Sequence, residues 1–151
     1  MSRPVTIRHF ELRDMERIME IERASFGSEA YDRNLFAEFF HRCTGLFLVA
    51  VERRRIWGYI VSSTGRQLSE RAELVSVAVD PAARGRGVAS SLMRNTLRRL
   101  RLRRVRRFTL VVRQSNTQAR EVYEHYGFVK MRRLPHYYED GEDGVLMRKM
   151  L

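Results

Sequence analysis

The sequence predicts an α/β fold, with helices on both faces of a mixed and mostly antiparallel sheet. Segments with strand and helix periodicity alternate along the chain in the order β-α-α-β-β-β-α-β-α-β-β. Two apolar strands around a short polar turn at 52–55 indicate an antiparallel hairpin. The strand-helix-strand-helix order of the second half requires at least one parallel pair. A chain of 151 residues with 44% hydrophobic residues predicts a single domain, 1–151.

In the first half, polar capping residues and glycines mark the ends of the helices. Asp14 is predicted to cap the first helix, whose apolar residues form one stripe, and Gly27 to end it. Asp32 is predicted to cap the second helix. The predicted elements are a strand over 4–10, helices over 15–26 and 32–42, and strands over 45–51 and 56–62.

In the second half, Asp80-Pro81 stops an aliphatic strand, and Gly127 ends a helix capped by Ser115 or Asn116. The predicted elements are strands over 72–79 and 108–112, helices over 87–101 and 116–126, and a last hairpin from 128–132 and 145–150. The buried stripe predicted for helix 87–101 consists of Val88, Leu92, Met93, Thr96, Leu97 and Leu100.

A glycine-containing turn between strand 72–79 and helix 87–101 is predicted to bind an anion. The first-turn N–H groups of a helix have no intrahelical partner, and glycine lets backbone approach a phosphate closely. The dinucleotide fingerprint does not fit, because Ser90 stands where its third glycine is required. The P-loop does not fit either, because no Lys-Ser or Lys-Thr pair occurs in the chain.

Arg84, Gly87 and Ala89 fill the pattern [QR]-x-x-[GA]-x-[GA], which resembles the acetyl-CoA pyrophosphate loop of the GNAT superfamily of N-acetyltransferases. The predicted order of elements is also that of the GNAT fold, with about seven strands and four helices. This resemblance implies acetyl-CoA as the cofactor. It implies that the preceding strand offers backbone groups to the pantetheine amides, and that the loop holds the pyrophosphate. The residues so implied are Val77, Ala78, Val79, Arg84, Gly85, Arg86, Gly87, Val88, Ala89 and Ser90.

The string V-R-x-S-N-x-x-A-x-x-x-Y-x-x-x-G-F, from Val112 to Phe128, resembles the fifth strand and following helix of the same family. The resemblance implies that Asn116 contacts the pantetheine arm and that Tyr123 is the general acid beside the thioester sulfur. Acetyl transfer needs such a donor, because the departing thiolate must be protonated or stabilised. Spacing alone leaves an alternative open, in which Tyr123 belongs to a core stripe with Ala119, Val122 and Tyr126.

At the position of the general base, the sequence departs from one pattern found in the GNAT superfamily. RimI-like enzymes, which acetylate the N-terminal alanine of a ribosomal protein, carry a glutamate where this chain has Val111. Glu73 is the replacement candidate, because Ala72-Glu73-Leu74-Val75 is similar to the fourth strand of histone-type relatives. Its position beside an apolar strand face is expected to raise the pKa of the carboxyl group by desolvation. An ion pair between Glu73 and an arginine, or a water chain without a single base, remains an alternative.

The acceptor side is indicated by aromatic residues. The ending His136-Tyr137-Tyr138 with Glu142-Asp143 resembles the last loop of RimI-like and other protein N-terminal acetyltransferases. The resemblance implies substrate-binding roles for Tyr137 and Tyr138, and for Phe26 and Tyr31 on the opposite wall. An aromatic clamp within the last hairpin is the structural alternative. His41, His125 and His136 are interpreted as surface or structural residues.

The predicted reaction is direct attack of an amine on acetyl-CoA in a ternary complex, without a covalent enzyme intermediate. The expected acceptor is a protein N-terminal α-amine, and the alternative is a lysine or a small-molecule amine. A second alternative is a non-catalytic basic ribosome- or RNA-binding module on the same fold. Cys43, the only cysteine, is not expected to be a nucleophile or to form an internal disulfide.

The composition bounds the partners and the location. The net charge of +11, almost wholly from arginine, predicts attraction to polyanions and a possible acidic or ribosomal surface as partner. For the arginines of 98–107, a solvated helix face and a nucleic-acid patch both remain open. No Cys/His spacing indicates a metal site, and no apolar run is long enough to cross a membrane, so we expect a cytoplasmic protein without metal. The oligomeric state is not predicted.

Overall fold

A computed structural model describes residues 5–43, 45–64 and 70–151 of the chain. Its element order is the one predicted from the sequence. The four helices are α1 (Met15–Phe26), α2 (Arg33–Arg42), α3 (Val88–Leu102) and α4 (Thr117–His125). The seven strands are β1 (Thr6–His9), β2 (Phe47–Glu52), β3 (Arg55–Ser63), β4 (Arg71–Val79), β5 (Arg107–Arg113), β6 (Val129–Leu134) and β7 (Gly144–Met150).

The strands form one mixed sheet in the order β1-β2-β3-β4-β5-β7-β6. The predicted hairpin of β2 and β3 and the last hairpin of β6 and β7 are both antiparallel. The predicted parallel pair is β4 with β5, in register from Arg71–Arg107 to Glu73–Thr109. The α/β fold with a mixed, mostly antiparallel sheet is therefore confirmed.

The chain divides into two compact units, and β4 contributes to both of them. The first unit comprises Met1–Ser63 and Leu74–Leu102. Its core packs α1 and α2 against β2 and β3, with Phe36, Tyr59 and Ile18 completely buried. On β3, Gly58 lets α3 approach closely, because a Cβ there would lie 3.0 Å from Val88 Cγ1. All six residues predicted for the buried stripe of α3 are buried.

The second unit comprises Thr64–Glu73 and Arg103–Leu151. Strand β5 pairs with β7 along its whole length, and β6 pairs with the other edge of β7. The rings of Phe108 and Phe128 pack 5.5 Å apart in its core. Strand β6 is an exposed edge strand, in which only Leu134 is partly buried.

Three details differ from the sequence expectations. Asp14 precedes α1 as predicted, but its carboxylate accepts hydrogen bonds from Arg8 and from the Glu11 amide and caps no helix amide. Helix α4 buries none of its residues, so the core stripe that spacing left open as the alternative role of Tyr123 does not form there. The predicted strand 4–10 begins at Pro4, which lies outside the described residues, and β1 spans Thr6–His9. No helix in the described ranges is long and apolar enough to span a membrane.

Candidate functional site

The glycine turn of the first unit follows β4 and opens directly onto α3. Asp80 starts it by accepting a hydrogen bond from the Ala82 amide at 2.9 Å, which fixes the short helical turn Pro81–Ala83. Gly85 and Gly87 both have φ of +79°, a conformation that side chains with a Cβ rarely adopt. Apart from the adjoining residues, no atom in the described part of the chain lies within 4 Å of the Cβ that either glycine lacks. The backbone of this turn is therefore open to a ligand.

An ion pair between Asp80 and Arg17 links the start of the turn to α1. Arg17 donates from Nη2 to Asp80 Oδ2 at 2.5 Å and from Nε to the Ile56 carbonyl at 2.8 Å. Burial opposes ionisation of Asp80, but hydrogen bonds from Ala82 and Arg17 outweigh it and lower the pKa of the carboxyl group. A charged Asp80 is thus retained where the chain leaves β4.

The residues predicted to hold a cofactor differ in what they can offer. Val88 is buried, so only its backbone is available to a ligand, whereas Arg84 and Arg86 are exposed. Ala89 and Ser90 are half-buried in the first turn of α3, which contains no acidic residue. Strand β4 continues through Leu74–Val79 beyond its last register pair with β5 at Glu73, and Val77 and Val79 are half-buried there.

The first unit also holds the two aromatic residues assigned to one acceptor wall. Phe26 is 40% exposed at the end of α1, and Tyr31 is 37% exposed before α2. The Tyr31 ring contacts Phe39 at 5.7 Å, edge to face. The Tyr31 ring is thus held by packing and still accessible, and the Phe26 ring is accessible.

A buried carboxylate that sequence reasoning missed fixes the segment carrying Tyr31. Glu22 is 1% exposed, accepts a hydrogen bond from the Tyr31 amide at 2.9 Å, and accepts another from the Tyr59 hydroxyl. Burial raises the pKa of Glu22, although both hydrogen bonds oppose the shift. Tyr59 Oη lies 3.0 Å from Ser76 Oγ on β4, which completes the network. The available signal was the position of Glu22, seven residues after Met15 on the apolar face of α1.

In the second unit, Tyr123 is half-buried on α4, with its ring 5.9 Å from Phe128. Desolvation, with a smaller contribution from Tyr138, raises the pKa of Tyr123 to about 12. The phenol therefore keeps its proton throughout the neutral range. Asn116 caps α4 by accepting a hydrogen bond from the Ala119 amide at 3.1 Å, so its amide NH2 is the group left for a ligand.

Glu73, the candidate base, is exposed on β4. The burial that would desolvate its carboxylate is not provided by the protein. Among the residues that the structure describes, no arginine lies within ion-pair distance of it. An ion pair between Glu73 and an arginine, the alternative left open by the sequence, is thus not observed among these residues.

The loop between β6 and β7, which carries Tyr137 and Tyr138, is fastened to the end of β5. Arg113 Nη1 donates to Asp140 at 2.8 Å and to Glu142 at 2.9 Å, and its guanidinium stacks 4.1 Å above the Tyr138 ring. Glu142 also accepts a hydrogen bond from the Ser115 amide at 2.9 Å. These bonds, from Ser115 first and Arg113 second, lower the pKa of Glu142 to about 2. Glu142 belongs to the motif that resembles the last loop of the family, but its ion pair with Arg113 was not predicted from the sequence.

Val111, at the position of the missing glutamate, lies beside this loop. A Cβ on Gly144 would lie 2.8 Å from Val111 Cγ1 and 3.1 Å from the Tyr137 side chain. Tyr137 itself is 51% exposed. In the second unit, Tyr138 is therefore close enough to Tyr123 to influence its pKa, and the exposed Tyr137 lies beside Gly144, which also contacts the Val111 position.

The structure also places the cysteine and three of the four histidines. Cys43 is 2% exposed, and burial raises the pKa of its thiol, which is unsuited to nucleophilic attack. His41, His125 and His136 are exposed. Within the described ranges, no group of three potential metal ligands is assembled.

Comparison with known proteins matches residues 14–128 to the acetyltransferase (GNAT) family. An N-alpha-acetyltransferase of Sulfurisphaera tokodaii is 30% identical, over 93% of this chain and 90% of the relative. A [ribosomal protein bS18]-alanine N-acetyltransferase of Haemophilus ducreyi is 30% identical, over 89% and 92% of the two chains. The crystal structure of Ard1 from Thermoplasma volcanium superposes with a TM-score of 0.90 at 31% identity, covering 99% of both chains.

Proposed function

Because the chain belongs to the acetyltransferase (GNAT) family, we propose that it moves acetyl from acetyl-CoA to the α-amine of a protein N-terminus. Membership makes the chain an acetyl-CoA-dependent N-acetyltransferase, and the proposal concerns the acceptor and the roles of its residues. The observation that carries the choice of acceptor is the fastened loop with Tyr137 and Tyr138. Relatives described as N-alpha-acetyltransferases and as a ribosomal-protein alanine N-acetyltransferase support it.

On the cofactor side, the open backbone from Gly85 to Ser90 binds the pyrophosphate. The N–H groups at the start of α3 supply hydrogen bonds and the positive end of the helix dipole. Backbone groups of Val77–Val79 hold the pantetheine amides, and the Asn116 amide NH2 contributes a further hydrogen bond. Arg84 and Arg86 add positive charge near the phosphates.

In the reaction, the neutral amine attacks the thioester carbonyl carbon, a C–N bond forms and the C–S bond breaks. As the C–N bond forms, the amine nitrogen becomes positively charged and loses one proton through water to Glu73. The Tyr123 hydroxyl donates its proton to the departing thiolate and is reprotonated from solvent. With a pKa of about 12, the Tyr123 phenol is fully protonated at neutral pH, so its proton is available when the CoA thiolate forms.

On the acceptor side, Tyr137 and Tyr138 contact the backbone of the incoming N-terminus, and Phe26 and Tyr31 contact its side chains. An exposed phenol offers both an apolar ring and a hydroxyl for hydrogen bonding. The network of Glu22 and the ion pairs of Arg113 position these aromatic residues without contacting the acceptor.

The test compares a set of peptides with free N-termini against the same peptides blocked at the N-terminus and carrying one lysine. Products are located by tandem mass spectrometry after incubation with acetyl-CoA. We expect acetylation of the α-amine, with kcat/KM at least tenfold above that for the lysine side chain. Equal or faster modification of lysine, or of small amines, contradicts the proposal.

A further inference from the structure

The excess of positive over negative charge in this chain lies in one segment. Residues 81–120 contain 12 arginines and no lysine, aspartate or glutamate. The remaining residues hold 17 of the 29 basic residues and all 18 acidic ones, so their net charge is −1. The segment contributes +12, and the two sum to the net charge of +11. An even distribution of 18 acidic residues over 151 positions would place about five in a stretch of this length.

Within this segment, Arg94, Arg98 and Arg101 form an exposed stripe on α3. Spacings of four and three residues put them on one side of the helix, opposite the six buried residues. The stripe extends over about 10 Å, since an α-helix rises 1.5 Å per residue.

Among the described residues, the hydrogen bonds of Arg94 and Arg98 go to neutral groups of their own helix. Arg94 donates to Ser91 Oγ at 3.3 Å, and Arg98 donates to Asn95 Oδ1 at 2.7 Å. In the described part of the chain, no carboxylate lies within 4.0 Å of Arg94, Arg98 or Arg101.

Three of the four arginines of α1 and α2, namely Arg17, Arg33 and Arg42, have a carboxylate partner. Arg33 pairs with Glu16, and Arg42 pairs with Glu38 at 3.0 Å. If the arginines reflected only a general preference for this residue, they would be spread over the chain. Such a preference would not explain why one helix lacks acidic residues. The dipole of α3 favours arginines in its last turn, but Arg94 is the seventh of fifteen residues and lies outside that turn.

We propose that the stripe of Arg94, Arg98 and Arg101 binds the phosphate backbone of RNA. Guanidinium groups form paired hydrogen bonds with phosphate oxygens, and this charge-driven contact needs no apolar surface. Protein interfaces instead have an apolar and aromatic centre. Helix α3 contains no aromatic residue, and Leu102 at its end is its one strongly exposed apolar side chain. The stripe therefore fits a polyanion better than a folded protein.

The test measures binding of a fluorescein-labelled RNA hairpin by fluorescence anisotropy at several KCl concentrations, with acetyl-CoA at saturation. The triple variant Arg94→Gln, Arg98→Gln, Arg101→Gln should bind at least tenfold more weakly than the wild type. Its slope of log affinity against log salt should be lower in magnitude by about two to three, the value for three lost phosphate contacts.

The matched control is the triple variant Arg23→Gln, Arg42→Gln, Arg53→Gln, which removes the same charge from other exposed positions of the first unit. Its affinity for the hairpin should stay within twofold of the wild type. Thermal unfolding confirms that both variants are folded. Acetylation of the best peptide by the stripe variant should also stay within twofold, so that RNA binding and acetyl transfer are judged separately.

Four results would overturn the proposal. The stripe variant could bind RNA like the wild type, or the control variant could lose as much affinity. Saturating acetyl-CoA could displace the RNA, which would locate it in the glycine turn. A poly-glutamate peptide could bind through the stripe more tightly than the hairpin, which would indicate an acidic protein as the partner.

Discussion

Tyr123 and Glu142, both in the second unit, have pKa values displaced in opposite directions by their immediate contacts. Desolvation penalises the phenolate of Tyr123 and raises its pKa to about 12. Hydrogen bonds from Ser115 and Arg113 favour the carboxylate of Glu142 and lower its pKa to about 2. At neutral pH one group therefore keeps a proton to donate, and the other keeps the charge that holds a loop.

Replacing Tyr123 by phenylalanine removes the proposed proton donor and keeps the ring. We expect kcat to fall about a hundredfold or more, the scale of general acid catalysis, with little change in acetyl-CoA affinity. In the wild type, loss of the phenol proton should not lower the rate at any pH below about 11, given a pKa of about 12. Steady-state kinetics against pH checks both, with Tyr126→Phe on the same helix as the control. An unchanged kcat in Tyr123→Phe refutes the role.

The Glu142→Gln substitution weakens the contact between the β6–β7 loop and Arg113. The folded-state pKa of about 2 lies below the ordinary 4.5, so this carboxylate stabilises the fold above pH 4.5. That contribution is lost as the pH falls through about 2. Urea unfolding should therefore show a stability gap between wild type and variant that is steady above pH 4.5 and closes towards pH 2. A gap that does not change with pH contradicts the assignment.

A motif can name a candidate residue, but it does not predict whether the residue is buried. The strand motif named Glu73 as the candidate base, but the burial expected for its side chain is absent, because it is exposed. Glu22 was overlooked because a carboxylate on an apolar face is recognised only when its partners, the Tyr31 amide and the Tyr59 hydroxyl, are known. These partners are 9 and 37 residues away along the chain.

At the scale of elements, α3 and α4 show what periodicity can predict. Every residue of the predicted stripe of α3 is buried, because that helix packs on β3 through Gly58. Helix α4 has a similar apolar spacing, yet none of its residues is buried. Periodicity predicts which face of a helix is apolar, but the neighbours that cover this face are set by tertiary structure.

The contact between α3 and β3 predicts the effect of Gly58→Ala. The new Cβ would lie 3.0 Å from both the Ala78 carbonyl oxygen and Val88 Cγ1, so these neighbours must give way by a few tenths of an ångström. We expect a loss of about 1–3 kcal/mol in the free energy of unfolding, as for other overpacked cores. In the double variant Gly58→Ala, Val88→Ala the loss should be smaller than the sum of the single losses, because one clash is removed. Strict additivity in urea unfolding contradicts the contact.

The glycine turn predicts a loss of cofactor affinity without a comparable loss of fold. Gly87→Val forces a β-branched residue into φ of +79° and places its side chain where a phosphate would approach. Calorimetric titration should show affinity for acetyl-CoA reduced at least tenfold. Gly27→Val is the control, since Gly27 has φ of +56° and likewise no atom within 4 Å of its missing Cβ. Equal affinities of the two variants for acetyl-CoA would show that the glycine turn does not bind the cofactor.

At the scale of the whole chain, the net charge of +11 acts on both substrates. A positive field attracts the phosphates of acetyl-CoA and acidic acceptor peptides, and it repels basic peptides. Composition alone predicted this attraction, but only the structure distinguishes paired arginines, such as Arg17 with Asp80, from the unpaired stripe on α3.

Raising KCl from about 50 to about 300 mM shortens the screening length well below 10 Å. We expect KM for acetyl-CoA to rise severalfold over this range while kcat stays constant, because salt weakens encounter and not the chemical step. The preference for acidic over basic peptides should narrow in the same experiment. A KM that is indifferent to salt, measured by initial rates, contradicts electrostatic attraction of the cofactor.

The single cysteine has a practical consequence. Cys43 is 2% exposed, and its pKa is raised by burial, so the folded enzyme presents almost no thiolate to a disulfide dye. Each turnover releases one free coenzyme thiol. Turnover can therefore be followed continuously by colour, without background from the catalyst and without loss of activity by oxidative cross-linking during storage.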